Sequence, residues 1–316
     1  MPNTTGLILS GGGARAAYQV GVLSAIERMR REAGVAQGNP FPVISGTSAG
    51  AINAAFLASN ADRYDAAIQE LVSVWRNFQV EQVYRSDVLG MIRSGARWLS
   101  LLSLGWLIAQ KKIRPKSLLD NDPLSQLLSE RIDFQRLPEL LDKGHLKALA
   151  NTASSYSTGE HVTFYDSCQA VTPWVRNQRL AQRCNLSHEH LLASSAIPFI
   201  FPATPLWVDG SMEFFGDGSM RQSAPLSPAV HLGANKILAI GVGQPQSGSA
   251  NSPAPAAKIA RQMPTLGNIA GHAMASVFND TLMADVEQVQ RVNESIQQRQ
   301  RDWAGLHPEG SLLPPS

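Results

Sequence analysis

The sequence predicts a three-layer α/β/α sandwich built on a mostly parallel central sheet. Two observations carry that expectation. The first fifty residues alternate short apolar runs with helical patterns, an order that produces parallel strands covered on both faces. The first two apolar runs each end directly in a glycine-rich turn, Gly11-Gly12-Gly13 and Gly46-Thr47-Ser48-Ala49-Gly50. A chain of 316 residues is long enough to bury a full core as one large domain or two small ones.

In order along the chain, Gly6 to Ser10 reads as a strand, and a helix with Val20, Leu23 and Ile26 on one face follows the glycines, stopping near Gly34. A loop at residues 39–42 leads to a second strand, Val43 to Ser45, and then to a buried helix of small residues from Ala51 to Ser59. Residues 62–150 are mainly helical, with a helical insertion at about 62–145. Further strands are expected at 147–157 and 161–165, joined by a turn at Thr158-Gly159. Residues 206–215 read as a hairpin with Asp209-Gly210 at its tip, and 236–242 as another buried strand. The main domain is thus expected over 1–243 and a Pro/Ser/Gly/Ala-rich linker over 244–265. A helical extension over 266–304 should dock through Met274, Val277, Phe278, Leu282, Val286, Val289 and Ile296, ahead of a disordered tail at 305–316.

Composition excludes several classes. Apolar residues make up 44% and charged residues 16%, which fits neither wholesale disorder nor an integral membrane protein. Twenty-seven basic against 25 acidic residues leave a net charge of +2, so no nucleic-acid partner is expected. Cys168 and Cys184 form no CxxC, and no HExxH-type cluster exists, so neither a disulfide framework nor a metal is expected. The start of the chain lacks a basic leader, and the longest apolar stretch, 98–109, falls short of the roughly 20 residues a membrane-spanning helix needs. A cytosolic address is the expectation. The oligomeric state is not legible.

Gly46-Thr47-Ser48-Ala49-Gly50 is G-x-S-x-G between a strand and a helix, the setting in which such a serine stands exposed as a nucleophile. Gly11, Gly12 and Gly13 offer backbone N–H groups suited to an oxyanion hole or to a phosphate. Gly11-x-Gly13-x-x-Ala16 also fits the dinucleotide fingerprint, but the next strand ends in the serine turn and not in an acid for a ribose hydroxyl. A base is offered by two Asp-Gly-Ser tripeptides. Asp209 sits at a hairpin tip, where turn chemistry explains it. Asp217 is the better candidate. His231 and His272 leave a Ser…Asp…His order open, although His231 lies in a packed helical context.

Residues 9–15 (Leu-Ser-Gly-Gly-Gly-Ala-Arg), Gly46-Thr-Ser-Ala-Gly50 and Asp217-Gly218, in this order and spacing, resemble the patatin-like phospholipases over roughly residues 5–243. Ala193-Ser-Ser-Ala-Ile-Pro198 resembles that family too. The resemblance implies a lipid acyl hydrolase of the phospholipase A or lysophospholipase type with a Ser-Asp dyad and no cofactor. Ser48 would be the nucleophile, Asp217 the proton acceptor, and Gly11, Gly12 and Gly13 the oxyanion donors. Arg15 would be the basic residue of the glycine loop, and Gly46, Gly50 and Gly218 the motif glycines. Ser10, Ala16 and Ser219 depart from the family's usual Asp, Gly and Gly or Ala; none removes a reacting group.

Residues 85–116 carry seven basic residues against Asp87, interleaved with Trp98, Trp106 and a run of leucines. This is the composition of an interfacial helix on an anionic membrane surface, of a lid over an acyl pocket, or of a packed cap helix with a solvated basic rim. A soluble carboxylesterase or thioesterase, and a non-catalytic membrane-associated module, are the alternative functions.

Overall fold

β1 (Thr5–Leu9) and β2 (Val43–Thr47) are short and buried along almost their whole length, as parallel strands covered on both faces must be. In this computed structural model, which describes residues 3–35, 38–78, 121–220, 222–243 and 282–306, they pair in parallel. β9 (Lys236–Ile240) pairs in parallel with the other side of β1, and β3 (Ala148–Ser155) with the far side of β2. The strand order is β5-β6-β4-β3-β2-β1-β9. β4 (His161–Ser167) is antiparallel to β3, β6 (Arg179–Arg183) runs parallel to β4, and β5 (Val175–Arg176) forms the edge. The sequence does not announce β5 and β6: their polar, arginine-rich residues suit a sheet margin, where one side faces water.

Period-two alternation sorts the strand side chains into two cores. Leu7, Leu9, Ile44 and Leu149 enter one cluster with α1 (Ala16–Glu32), α2 (Ala49–Ala58) and α3 (Tyr64–Arg76). α4 (Asp122–Arg131) and α5 (Leu137–Asp142) complete that side. Ile8, Val43, Ala148 and Ala150 face the opposite cluster with Trp174 and Leu226. The result is the expected sandwich. α2 is buried almost all round, and its small residues let sheet and helices close over it.

The hairpin falls where the sequence places it: β7 (Thr204–Val208) and β8 (Ser211–Asp217) flank Asp209 and Gly210, both at positive φ. Its pairing with β3 positions the site. β4 occupies one edge of β3 up to Ser154, and β2 occupies the other up to Thr152. β8 continues along that second edge, antiparallel, with Ala153 opposite Asp217 and Ser155 opposite Phe215. β2 and β8 therefore meet head to head, and the residue after Thr47 faces the last residue of β8.

α6 (His188–Ser194) and α7 (Ser227–His231) follow β6 and β8. The closing helix α8 (Leu282–Leu306) docks through its first two turns: Leu282 is buried, Val286 and Val289 pack on the second core, and Asp285 accepts from the Leu226 N–H at 2.9 Å. The expected seam does not run on. Ile296 is 42% exposed, and Val292, one turn before it, is 51% exposed. Met274, Val277, Phe278 and His272, the linker at 244–265, the basic segment at 85–116 and residues 307–316 lie outside the described residues. Among the described residues no helix is long and apolar enough to cross a membrane.

Candidate active site

The turn between β2 and α2 bends sharply at Ser48, which takes φ 54° and ψ −130°. A side-chain-bearing residue held in such a region stores roughly 1–3 kcal/mol of strain and persists only where its surroundings over-determine it. Here they do. The Ser48 carbonyl accepts from Ala51 and Ile52 N–H, and the Ser48 N–H donates to Ser194 Oγ at 2.9 Å. Gly50 lets the helix start press against β1: a Cβ there would lie 2.5 Å from the Ser10 carbonyl oxygen and closer still to that of Leu9. This contact brings the Ser48 turn beside the glycine loop that follows β1. Gly46 packs against Ala51, and Gly218 against the Thr152 carbonyl, with equally little room.

The head-to-head strands put Ser48 Oγ 2.6 Å from Asp217 Oδ2, across 169 residues of chain. Asp217 is 1% exposed, and its other oxygen accepts from Ser219 N–H at 2.8 Å. Burial pushes its carboxyl from the usual 3.8 up to about 6, against the opposing pull of the hydrogen bonds from Ser48 and Ser219. Asp209, by contrast, stands exposed at the hairpin tip.

The glycine loop closes over the same point. Gly11 comes so near Ser48 and Ser219 that an added Cβ would lie 3.1 Å from Ser48 Cβ and collide with Ser219 Oγ. Gly13 has φ 54°. Among the described residues, no backbone carbonyl takes the N–H of Gly11 or Gly12. The N–H groups of Ala49 and Gly50 open α2, so the helix gives them no acceptor. Arg15 lies exposed in the short turn before α1.

Three buried polar residues that the sequence reading leaves without a role support this arrangement. Ser194, fully buried, accepts from Ser48 N–H, donates to the Thr152 carbonyl at 2.6 Å, and takes the Gly218 N–H on its own carbonyl at 3.0 Å. It ties together the serine turn, β3 and the aspartate loop. Its only trace in the sequence is membership of the Ala193–Pro198 segment. Gln19 donates to the Ser10 and Ile240 carbonyls at 2.7 and 3.3 Å, fixing the start of the glycine loop. Asn53 donates to Gln19 and accepts from Trp75 Nε1 at 2.9 Å, linking that loop to α3.

Two of the described histidines, His231 and His190, are spent elsewhere. His231 stacks on Trp174, ring centroids 4.5 Å apart, and His190 packs edge-on against Phe164 and bonds Ser187. Burial lowers the His190 pKa to about 4 and raises that of its neighbour Cys184 to about 12, so that pair carries no thiolate nucleophile. No group of three or more His, Cys, Asp or Glu among the described residues could hold a metal ion.

Ser48 opens into an apolar cavity of about 440 Å³, within the usual size range of ligand pockets. Much of its wall is formed by single faces of three helices, and Ile197, Ile200 and Phe201, just after α6, close another side. Ala49, Ile52, Asn53 and Phe56 come from α2, Leu71, Val74 and Trp75 from α3, and Leu124, Leu127 and Leu128 from α4. Helical spacing of three and four residues gives each wall its continuous stripe.

The chain is similar to several known proteins. A 59-residue stretch is 49% identical to lysophospholipase nte1 of Aspergillus terreus, covering 19% of this chain and 3% of that protein. VipD of Legionella pneumophila aligns over 69% of this chain and 46% of its own, at 18% identity and a TM-score of 0.37. ExoU of Pseudomonas aeruginosa aligns over 54% and 36% at 21% identity, with a TM-score of 0.27. The chain thus spans less than half the length of each of these proteins. The profile of the patatin-like phospholipases matches residues 7–230, well over half of the chain, which belongs to that family.

Proposed function

We propose that the protein hydrolyses acyl esters of lipids, phospholipids or lysophospholipids, through Ser48 and Asp217. The observation that carries this reading is the 2.6 Å hydrogen bond between the two at the head of an apolar cavity. Ser48 Oγ attacks the ester carbonyl carbon while its proton passes to Asp217 Oδ2. A free serine hydroxyl is far too weak an acid to ionise first, so transfer and attack are concerted. The tetrahedral oxyanion meets the N–H groups of the Gly11–Gly13 loop and of the α2 start, reinforced by the positive end of that helix. Collapse breaks the ester C–O bond, and Asp217 returns the proton to the leaving alkoxide. Water then attacks the acyl-enzyme, giving its proton to Asp217, and the fatty acid leaves as Ser48 Oγ is reprotonated. The acyl chain occupies the apolar cavity throughout.

The apolar cavity supports an acyl partner and says little of the alcohol, so small soluble esters and thioesters are the second reading. Contact with an anionic membrane surface through residues 85–116, from a cytosolic address, belongs to the lipid reading. Flotation with anionic liposomes tests it, and equal recovery of a Trp106→Asp/Leu107→Asp variant removes that contact. The deciding experiment is mass-spectrometric detection of fatty acid released from mixed phospholipid liposomes by wild type, Ser48→Ala and Asp217→Asn. Release by wild type alone supports the dyad and the lipid class together. A silent wild type that cleaves small esters leaves the esterase reading.

A further inference from the structure

The apolar cavity ends in a cation. Arg131 contributes the one charged side chain among its described lining residues. Arg131 also borders a second, polar cleft of about 330 Å³, which shares Phe56, Val74 and Leu127 with the apolar cavity. Of the other charges of that cleft, Arg63 pairs with Glu70 at 2.7 Å, and Glu130 accepts one hydrogen bond from the neutral Gln126 amide at 2.9 Å and keeps its charge. Arg131 makes no ion pair among the described residues.

Three placements put Arg131 at the end of the cavity far from Ser48. Phe56, shared by both cavities, lies eight residues along α2 from Ser48, a rise of about 12 Å. Arg136, five residues beyond Arg131, bonds the Ser59 carbonyl at the far end of α2, at 2.7 Å. The Ile132 carbonyl bonds His188 at the start of α6, whereas Ser48 bonds Ser194 at its end. An acyl chain esterified at Ser48 and laid along α2 therefore runs over leucine, isoleucine and phenylalanine and finishes beside a guanidinium.

We propose that Arg131 selects acyl chains that end in a free carboxylate, the half-esters of medium-chain dicarboxylic acids. This rests on the reading of Ser48 as the acyl-bearing residue. Three backbone bonds advance a chain by at most 3.3–3.6 Å, about 1.2 Å per bond, so 12 Å corresponds to about ten bonds. A ten-carbon diacid with one carboxyl at Ser48 carries its other carboxyl level with Phe56, which lines both cavities together with Arg131. A plain alkyl end there would leave the arginine merely solvated, and a planar guanidinium matches a carboxylate with two parallel hydrogen bonds.

The test is calorimetric binding of decanedioate and decanoate to the full-length wild type, Arg131→Gln and Arg131→Glu, which requires no turnover. Wild type should bind decanedioate more tightly relative to decanoate. Arg131→Gln should lower that ratio about fivefold, the upper end for a partly solvated ion pair, and Arg131→Glu should lower it further. Decanoate affinity itself should hold, which reports an intact cavity. A ratio unchanged by both variants overturns the proposal, and so does equal loss of both ligands. A parallel comparison of 4-nitrophenyl decanoate with the mono-4-nitrophenyl ester of decanedioic acid separates the two readings. A binding ratio that responds to Arg131 while neither ester is cleaved keeps the subsite and removes the hydrolase. Cleavage of both esters with an Arg131-independent kcat/KM ratio keeps the hydrolase and removes the subsite.

Discussion

Replacing Asp217 by Asn should abolish hydrolysis and at the same time stabilise the protein at neutral pH. Asp217 is 1% exposed and its carboxyl lies at about 6 in the folded chain, against 3.8 for the free side chain. Between those values the folded state holds a proton that the unfolded state has released. Stability therefore falls as pH rises through that window, and the loss persists above it. A shift of about two pKa units, at about 1.4 kcal/mol each, makes the buried carboxylate cost about 3 kcal/mol at pH 8. The isosteric amide never ionises, so it avoids that cost while still accepting from Ser219 N–H. At about 2 °C per kcal/mol for a domain of this size, Tm should rise by about 6 °C at pH 8. The gain should shrink through pH 6, be small at pH 4 and vanish below 3.8, where wild-type Asp217 is protonated in both states. Scanning fluorimetry of both proteins from pH 4 to 8, beside fatty-acid release, reads it directly. An Asp217→Asn protein no more stable than wild type at pH 8, or a difference flat across the range, refutes the assignment of the strain to this carboxyl. The same value sets the acid limb of wild-type activity: kcat/KM should climb to its plateau with a midpoint near 6, since only the carboxylate accepts the Ser48 proton.

Three further variants probe the surroundings. Ser194→Ala strands the Ser48 N–H; it should cost about 1–3 kcal/mol of stability and lower kcat with KM nearly unchanged, read by steady-state kinetics on one ester. Gly11→Ala drives a methyl group onto Ser219 Oγ and toward Ser48; kcat should drop about 10²–10³-fold, the usual loss for one oxyanion donor, with Tm nearly kept. Adding Ser219→Gly should restore part of that activity by removing the obstacle. Ile52→Trp fills the cavity one turn beyond Ser48, so the preferred 4-nitrophenyl ester should shift from long acyl chains toward butyrate while the short-chain kcat/KM holds.

What the sequence reveals of this site follows from distance along the chain. Ser48 and its glycines are legible because strand, turn and helix are contiguous, and a sharp turn writes its steric demands as Gly46 and Gly50. The hairpin is legible for the same reason, through Asp209-Gly210. The cavity is not, because its wall is assembled from stripes on three helices and from the segment after α6, and Ile52, Leu71 and Leu128 each read as ordinary core residues. Nor do Ser194 and Gln19 stand out: their bonds go to backbone carbonyls at Thr152, Ser10 and Ile240, and a carbonyl leaves no mark in the sequence. β5 and β6 are hidden by their position, since a polar strand at the sheet margin lacks the apolar alternation that reveals a strand.

The head-to-head meeting of β2 and β8 also explains why aspartate faces serine directly. In the proposed chemistry the base must lie within hydrogen-bond reach of Ser48 Oγ, and the pairing of Ala153 with Asp217 fixes that carboxyl 2.6 Å away before any loop is considered. An imidazole inserted between them would need several more ångströms, which β3 denies by holding both strands on one edge. Burial, which raises the Asp217 pKa to about 6, makes the carboxylate a stronger base than an exposed one and brings it toward the range where histidine ordinarily works. Sheet topology thus sets the distance and desolvation sets the basicity, and the two together let a carboxylate stand where a histidine would otherwise be required.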